Sequence, residues 1–375
     1  MSGFMDDRAV AERVLRHIDE GSTDRGDEVW REPVANYRSR ERLDQELGVL
    51  RRSPLAFCPS AALPEPGSYV ARESAGTPLV VVRGRDGRVR AFRNACRHRG
   101  AQVASGSGCT RTFSCPYHGW VYELDGALKH VPHEDGFPGL DRSTHGLVPV
   151  QAEERLGLVF VTQEGSAESA AVLDGLPEFI APEQELLASH QAEVDVNWKV
   201  FLEGFIEGYH IKATHPESFY PYGFDNLNVI EHVGPHSRVT YPFRRIEKLR
   251  DVPPGDRRIE GLVTYVTHLF PTALVTVLSR HTNLVVLEPL DVNRTRSVFY
   301  ALTNPGGGTE ARKLAERDSS FVSDSGLTED LAVVKSIQAG IGSGANEHYT
   351  FGHFEPAIVH FHRTLREALT RGAQA

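Results

Sequence analysis

Two short segments of this 375-residue chain bring two cysteines and two histidines close together. Cys96 and His98 form a Cys-x-His pair, and Cys115 and His118 form a Cys-x-x-His pair. Because thiolates and imidazoles are common metal ligands, four of them in two tight loops predict a metal site. The ligand types alone allow two interpretations. One is a tetrahedral zinc site, and the other is a [2Fe–2S] cluster with two thiolates on one iron and two imidazoles on the other.

The composition and charge of the chain indicate the kind of protein that carries this site. The other cysteines, Cys58 and Cys109, lie outside both pairs and are interpreted as structural thiols. The N-terminal segment is acidic and has no long apolar run, so no signal peptide is predicted and the expected location is the cytoplasm. The formal net charge is −9 and no Lys/Arg-rich run is found, so no nucleic-acid surface is expected. No segment approaches the roughly 18 apolar residues of a membrane span.

The order of elements predicts an α+β fold. Helical periodicity is found at 7–19, 37–52, 196–212, 309–318, 328–340 and 356–371. Between about 50 and 160, short β-rich runs separated by Asp-Gly turns predict a small all-β domain of hairpins, with the metal-ligand pairs at hairpin ends. A polar stretch at 163–172 is interpreted as a linker. Five strand-like runs between 237 and 303 then predict an antiparallel sheet.

The residues around the first site resemble one family. The runs CRHRG from Cys96 and CPYHGW from Cys115 are similar to the Rieske signature of ring-hydroxylating oxygenase α subunits. The resemblance implies that Cys96, His98, Cys115 and His118 bind a Rieske [2Fe–2S] cluster. Neutral imidazoles replace two anionic thiolates in such a cluster, so it accepts an electron more readily than an all-cysteine cluster.

A second group of metal-ligand residues follows the helix predicted at 196–212. His210 and His215 are five positions apart, which would separate them around a straight helix. Pro216 disfavours helical geometry at His215, so the helix is predicted to distort or end there. His215 can then turn back towards His210. Two histidines and a carboxylate form the ligand set of non-haem Fe(II) oxygenases.

The carboxylate of this group must come from another segment. Asp330 is the preferred candidate because an acid on an apolar helix face needs a cation or a donor. The apolar positions of that face are Val333, Val334, Ile337 and Ile341. Asp330 is also explained as a first-turn acid near a helix N-terminus. Asp324 and Glu347 are alternatives, and Glu329 falls off the apolar face and is predicted to be solvated.

This second group resembles the same family. Residues 197–215 and 329–340 are similar to its two iron-binding motifs. The resemblance implies a mononuclear Fe(II) bound by His210, His215 and Asp330.

The resemblance covers most of the chain from about residue 40 and implies three regions. These are N-terminal helices at 1–48 that pack on the catalytic domain, an all-β Rieske domain at 49–162, and a catalytic mononuclear iron domain at 163–375. The implied catalytic domain has a helix-grip (START/Bet v 1-like) fold with a curved antiparallel sheet.

One acid is expected to link the two metal sites. Glu203, Glu207 and His210 are predicted on one helix face. The resemblance implies that Glu207 hydrogen-bonds both His210 and His118 of the partner subunit, bridging cluster and iron. Many members carry Asp at this position, and a glutamate resembles the carnitine- and choline-type monooxygenases. Gly204 departs from the Asn found in many members.

These residues predict the oxygenase component of a multicomponent NAD(P)H-dependent Rieske oxygenase. It would use O2 and two electrons for mono- or dihydroxylation, or oxidative dealkylation, of a small organic substrate. No dinucleotide- or flavin-binding motif is found, so a separate NAD(P)H reductase is expected, with or without a ferredoxin. The resemblance implies a homotrimer or a multiple of it. Arg244 and Arg245 are candidates to meet an anionic substrate, and His268 and His281 are candidates to line its pocket.

Two other function classes compete with this interpretation. A Rieske electron-transfer protein without oxygenase activity would explain the first motif and leave Glu207, His210, His215 and Asp330 as coincidence. A zinc-stabilised binding module would bind no iron.

Overall fold

The structure is a computed structural model that describes residues 3–165, 171–306 and 308–374. The chain divides into two compact units. The α+β unit comprises Met1–Val49, Ala170–Pro177 and Glu183–Ala375, and the all-β unit comprises Leu50–Ser169 and Glu178–Pro182. The linker predicted at 163–172 lies partly outside the described residues.

The secondary structure elements are as follows. The helices are α1 (Asp7–Glu20), α2 (Arg40–Arg52), α3 (Trp198–Glu203), α4 (Ile211–Thr214), α5 (Thr309–Phe321), α6 (Leu327–Ile341) and α7 (Pro356–Gln374). The strands are β1 (Trp30–Pro33), β2 (Leu55–Pro59), β3 (Ser68–Ser74), β4 (Thr77–Arg83), β5 (Val89–Arg93), β6 (Gly106–Cys109), β7 (Phe113–Ser114), β8 (Val121–Tyr122), β9 (Leu128–His130), β10 (Pro149–Arg155), β11 (Leu158–Thr162), β12 (Leu186–Val194), β13 (Val229–Val233), β14 (His236–Pro242), β15 (Val263–Leu269), β16 (Ala273–Val277), β17 (His281–Asp291), β18 (Arg294–Thr303) and β19 (His348–Phe351).

The all-β unit contains a seven-stranded sheet and a three-stranded sheet, both antiparallel. The strand order is β2-β11-β10-β5-β4-β3-β6 in the larger sheet and β7-β8-β9 in the smaller one. The loop with Cys115 joins the neighbouring strands β7 and β8, as the hairpin prediction requires. The loop with Cys96 joins β5 to β6, which are not neighbours in the sheet, so the hairpin prediction is wrong there.

The α+β unit is built on a seven-stranded antiparallel sheet of order β12-β18-β17-β16-β15-β14-β13. Alternate residues such as Val266, Val285 and Phe299 turn one face towards a core that also contains Trp198 and Phe201 of α3. Helices α3, α5 and α7 all contact strands of this sheet. The α+β prediction is therefore confirmed.

Sequence patterning found the inner strands of this sheet and missed its two edges. Strands β12 and β13 were not predicted, and they are the first and last strands in the order. An edge strand needs apolar side chains less than a central strand does, because much of it faces solvent. Most residues of β12 are exposed, so the alternation that marks a half-buried strand is absent.

None of the helices in the described part of the chain is long and apolar enough to cross a membrane.

A buried ion pair joins α2 to α3. Lys199 and Glu46 are 1% and 0% exposed, and Lys199 Nζ lies 2.9 Å from Glu46 Oε2. The same carboxylate accepts hydrogen bonds from Trp198 Nε1 at 2.9 Å and from Arg42 Nε at 2.9 Å. A buried charge is tolerated only when its partners are present, so these groups constrain how the two helices pack.

Glu46→Gln is expected to destabilise the α+β unit by about 3 kcal/mol, because it leaves the Lys199 ammonium buried without its nearest counter-charge. The double variant Glu46→Gln/Lys199→Met is expected to lose less than the single variant. Asp44→Asn, which disrupts an exposed pair of the same helix, is the control and should change stability by less than about 1 kcal/mol. Urea unfolding followed by circular dichroism measures all three. Equal effects of Glu46→Gln and Asp44→Asn would contradict the argument.

Candidate functional site

Two loops of the all-β unit carry the predicted cluster residues, and they are built alike. In each loop a glycine N–H donates to the cysteine carbonyl, from Gly100 to Cys96 at 2.8 Å and from Gly119 to Cys115 at 3.0 Å. Both glycines have positive φ values, +79° and +73°, a region that residues with a Cβ rarely adopt. Each loop therefore reverses tightly around its cysteine.

The two thiols are buried and the two imidazoles lie nearer the surface. Cys96 and Cys115 are 3% and 4% exposed, whereas His98 is half-buried and His118 is exposed. The two histidine rings are 4.7 Å apart between centroids. Burial raises the pKa of the Cys96 thiol, and the neighbouring Cys115 thiol adds to this effect. Two adjacent buried thiols lose their protons readily only if a metal cation replaces them.

Aromatic residues surround these four side chains. His98 stacks on Trp120, with ring centroids 5.1 Å apart and an interplanar angle of 9°, and contacts the edge of Phe137. The Tyr122 hydroxyl lies 3.2 Å from Cys96 Sγ, where it can donate to a thiolate. Trp120, Phe137 and Tyr122 were not predicted as site residues. The two-thiol, two-imidazole donor set fits a Rieske cluster, with the imidazole side towards solvent.

The helix predicted at 196–212 is not continuous. Helix α3 ends at Glu203 and α4 begins at Ile211. Between them, Glu207 Oε2 accepts hydrogen bonds from the N–H groups of Tyr209 at 2.5 Å and His210 at 3.2 Å. A side chain that takes backbone donors in this way competes with the helical hydrogen-bond pattern.

The predicted common face of Glu203, Glu207 and His210 is consequently wrong. Glu203 belongs to a separate buried network, where its Oε1 accepts from the Tyr37 hydroxyl at 2.7 Å and lies 2.9 Å from His362 Nε2. Burial raises the pKa of Glu203 to about 8. Glu207 instead contacts His210.

The structure brings His210, His215 and Asp330 together. One ligand atom from each lies within 4.8 Å of the others. Asp330 Oδ1 is 2.9 Å from His215 Nε2 and 3.6 Å from His210 Nε2. His215 Nε2 is buried, and apart from this approach of Asp330 no hydrogen-bond partner for it is found among the described residues. Neither Asp324 nor Glu347 belongs to this group in the described residues.

Each histidine ring is held by a carboxylate at its other nitrogen. His210 Nδ1 is hydrogen-bonded to Glu207 Oε1, and His215 Nδ1 to Glu329 Oε2 at 2.7 Å. Glu329 also accepts from Ser218 Oγ at 2.5 Å, so the prediction that it is solvated is wrong. With both Nδ1 atoms engaged, the two Nε2 atoms are left for a metal, which is the arrangement usual for metal-binding histidines.

The charges around this group favour a cation. Burial of the rings opposes protonation, but Glu207 and Asp330 raise the pKa of His210 above its usual value. Asp330 and Glu329 do the same at His215, again against the effect of burial. Carboxylates that attract a proton here also attract a metal ion. Two imidazoles and a carboxylate with an orphaned ring nitrogen fit a mononuclear iron.

This group forms part of the wall of a cavity of about 1230 Å³ in the α+β unit. The buried part of the lining includes Val266, Val285 and Phe299 from the sheet. Its exposed part includes Arg244 and Arg245.

Two other histidines named as pocket candidates do not line the cavity. His268 and His281 are fully buried and lie outside its lining in the described residues.

A close contact supports one of the metal-group histidines. Phe219 packs against the ring of His215, with centroids 4.7 Å apart. Gly326, at the end of the π-helical segment Val322–Gly326 before α6, leaves room for Phe219, since a Cβ there would lie 2.0 Å from the ring. Neither Phe219 nor Gly326 carried a signal in the sequence, because their role depends on α6 packing across the histidines.

Two protein families match the chain. The ring hydroxylating alpha subunit (catalytic domain) family matches residues 184–371, and the Rieske [2Fe-2S] domain family matches residues 53–148.

Individual proteins that resemble this chain are also Rieske oxygenase subunits. The carnitine monooxygenase oxygenase subunit of Escherichia coli (strain K12) is 28% identical, over 91% of this chain and 94% of that protein. The carnitine monooxygenase oxygenase subunit of Acinetobacter pittii (strain PHEA-2) is 32% identical over 51% of this chain and 54% of that protein, about half of its length. A quaternary ammonium Rieske monooxygenase, CntA, shares the fold with a TM-score of 0.78 at 23% identity, over 90% of this chain and 95% of that one.

These matches confirm the predicted fold, with its Rieske domain and its catalytic domain. They also confirm the predicted cofactors, a Rieske [2Fe–2S] cluster and a mononuclear iron, and an oxidoreductase that acts with O2. The chain belongs to the family of ring-hydroxylating oxygenase α subunits, in which a Rieske domain precedes a mononuclear iron catalytic domain.

Proposed function

We propose that this chain is the oxygenase component of a multicomponent system that hydroxylates a small organic substrate, with electrons from a separate NAD(P)H reductase. The observation that carries the proposal is the convergence of His210, His215 and Asp330 within 4.8 Å on the wall of a large cavity. A metal with three protein ligands on one side keeps positions open for O2, and the cavity offers room for a substrate beside it.

In this proposal His210, His215 and Asp330 hold the iron, which supplies O2 activation when bound. Glu207 and Glu329 keep the two rings oriented, since each accepts the Nδ1 hydrogen bond of one histidine. Apolar residues of the cavity wall exclude water from the substrate carbon.

Cys96, His98, Cys115 and His118 would hold the cluster, which would supply one-electron transfer when bound. The exposure of His118 gives the cluster an outward-facing ligand, which suits electron transfer to another molecule. We assign Glu207 as the acceptor for His118 of the partner subunit in a homotrimer or a multiple of it. One related structure is described in terms of inter-subunit electron transfer, which supports this assembly.

Mono-oxygenation at a non-aromatic carbon is favoured over attack on an aromatic ring. The related proteins are named carnitine, choline and glycine betaine monooxygenases, and none of those three substrates is aromatic. Glu207 agrees with this, since a glutamate at its position resembles the carnitine- and choline-type monooxygenases.

The proposal is tested by oxygen uptake with a surrogate NADH-linked reductase and a panel of small organic substrates. Uptake should depend on reductase and substrate together and should yield a hydroxylated or dealkylated product detected by mass spectrometry. A chain that cycles its cluster with the reductase but forms no product from any substrate would behave as an electron carrier.

His210→Ala should lower the iron content from about three to about two atoms per chain and leave the brown cluster absorption intact, because only the mononuclear iron loses a ligand. His98→Ala should bleach the cluster absorption and lower the iron content to about one atom per chain, because the cluster loses a ligand and the mononuclear iron does not. His348→Ala removes an exposed histidine from β19 and serves as the control, with no change in iron content expected. Unchanged iron content in His210→Ala would exclude it as a ligand.

Glu207→Gln should slow substrate-dependent reoxidation of the reduced cluster by about 10- to 100-fold while iron content stays near wild type. The amide retains an oxygen for the Tyr209 and His210 N–H groups but loses the charge that orients the imidazole. Single-turnover absorption measurements give the rate. Glu217→Gln, at an exposed glutamate nearby, is the control. A normal reoxidation rate in Glu207→Gln would remove Glu207 from the electron path.

A further inference from the structure

The cavity beside the metal group has an unusual charge for this chain. Its lining includes the five cationic side chains Arg244, Arg245, Lys248, Arg258 and Arg280. Apart from Glu207 and Asp330 of the metal group, its acidic side chains are Glu260 and Asp318. The whole chain carries a formal net charge of −9, so this local excess of positive charge runs against the overall balance.

The described residues supply no carboxylate partner for these five cations. Arg245 Nε donates to the Gly261 carbonyl at 2.9 Å, and Arg258 donates to the Arg257 carbonyl at 2.9 Å, which leaves both charges without a carboxylate. Among the described residues, no ion pair involves any of the five.

The side chains of the remaining three cations make fewer polar contacts with the described residues. Arg244 lies over the rings of Tyr220 and Phe224, 5.5 and 5.4 Å from their centroids. The side chains of Lys248 and Arg280 make neither a hydrogen bond nor an ion pair with the described residues. Like charges lining one recess repel each other, so an anion that enters it gains affinity from all of them.

The two acids of the lining outside the metal group do not balance its five cations. Asp318 is engaged by His281, whose Nδ1 lies 3.0 Å from Asp318 Oδ2. Glu260 is exposed, and among the described residues it is the one acid of the lining that neither belongs to the metal group nor pairs with a histidine.

Buried amides in the same cavity provide a second, independent observation. Asn283 on β17 is 5% exposed and lines the cavity, and its Oδ1 has no hydrogen-bond partner in the described part of the chain. Thr276, its register partner on β16, also lines the cavity. Asn228 is 2% exposed and lines the cavity too, and no described residue is a hydrogen-bond partner of its Nδ2. A buried amide atom without a partner is unfavourable for the protein, and a polar ligand that bonds to it would offset that penalty.

We infer that the substrate is an organic oxyanion whose charged group is bound by Arg244, Lys248 and Arg280. Its polar substituents would meet Asn283 and Asn228, and its apolar part would lie along the buried wall towards the metal group. The cavity of about 1230 Å³ exceeds the roughly 300–1000 Å³ usual for ligand sites, so a larger molecule than a simple betaine fits. This inference rests on the proposed function, because it names the substrate class of that site.

The test uses two fluorescent probes that share one ring system and differ by a sulfonate group. 8-Anilinonaphthalene-1-sulfonate is an organic anion, and N-phenyl-1-naphthylamine is its neutral counterpart. The iron-loaded protein is titrated with each probe without reductase. We expect the sulfonate to bind about tenfold or more tightly than the neutral probe. Equal affinities would overturn the inference.

Variants locate the binding. The triple variant Arg244→Gln/Lys248→Gln/Arg280→Gln should weaken sulfonate binding by about tenfold or more and leave the neutral probe within about twofold. The matched control Arg312→Gln/Lys313→Gln/Arg363→Gln removes three cations outside the cavity lining and should change neither. An equal loss in both triple variants would show that net charge alone attracts the probe, and the inference would fail.

Asn283→Asp tests the buried amide. A carboxylate at this position should weaken the sulfonate by about tenfold and spare the neutral probe, because it brings a negative charge to the cavity wall. Loss of both probes together, or of neither, would remove Asn283 from the binding site. These affinities are independent of turnover. Oxygen uptake and iron content test the proposed function, whereas probe binding tests the substrate class. Failure of one can therefore be distinguished from failure of the other.

Discussion

Two hydrogen bonds from imidazole Nδ1 atoms to carboxylates organise the catalytic site. Glu207 holds His210 and Glu329 holds His215, so both Nε2 atoms are available beside Asp330. His215 and Glu329 are 114 positions apart in the chain. The ligand set therefore exists only once α6 has packed against the segment that follows α3, and the stability of that packing supports the chemistry.

The cluster site is assembled by a different route. Each of its loops carries one cysteine and one histidine and is closed by its own glycine, so most of its geometry is local. Tertiary contacts still matter, since Trp120 stacks on His98 and Tyr122 approaches Cys96. These contacts orient and tune ligands that the loops already bring together, whereas the mononuclear site needs contacts between distant segments to form at all.

The cavity that would select the substrate is also formed by segments that are far apart in the chain. Its apolar wall comes from central strands, its unpartnered amides from β17 and from the residue before β13, and its cations from two connecting segments, β14–β15 and β16–β17. Many substrates can share one arrangement of iron ligands, because specificity is a difference in affinity set by the lining. Positive charge in this lining is a property of this chain that the metal-ligand motifs do not encode.

The limits of sequence reasoning follow from the same physics. The inner strands β14–β18 were recognisable because burial on a sheet face imposes apolar alternation, and the cluster loops because their ligands are neighbours in the chain. The edge strand β12 escaped because most of its residues are exposed and carry no apolar alternation. The helix over 196–212 was predicted from periodicity that is present, yet Glu207 takes the backbone donors of Tyr209 and His210 and ends the helical pattern.

Local patterns in the chain thus determined its fold class, its family and the residue types at both metal sites. The partner of His215, the break after α3 and the gathering of five cations around one cavity were decided only in the folded structure, although Arg244 and Arg245 were already candidates to meet an anionic substrate. Such features are contacts between segments far apart in sequence, and no single segment carries a periodicity or spacing that reports them. Glu329 illustrates this, since on its own helix it looks like a solvated acid, and only packing against His215 and Ser218 gives it a role.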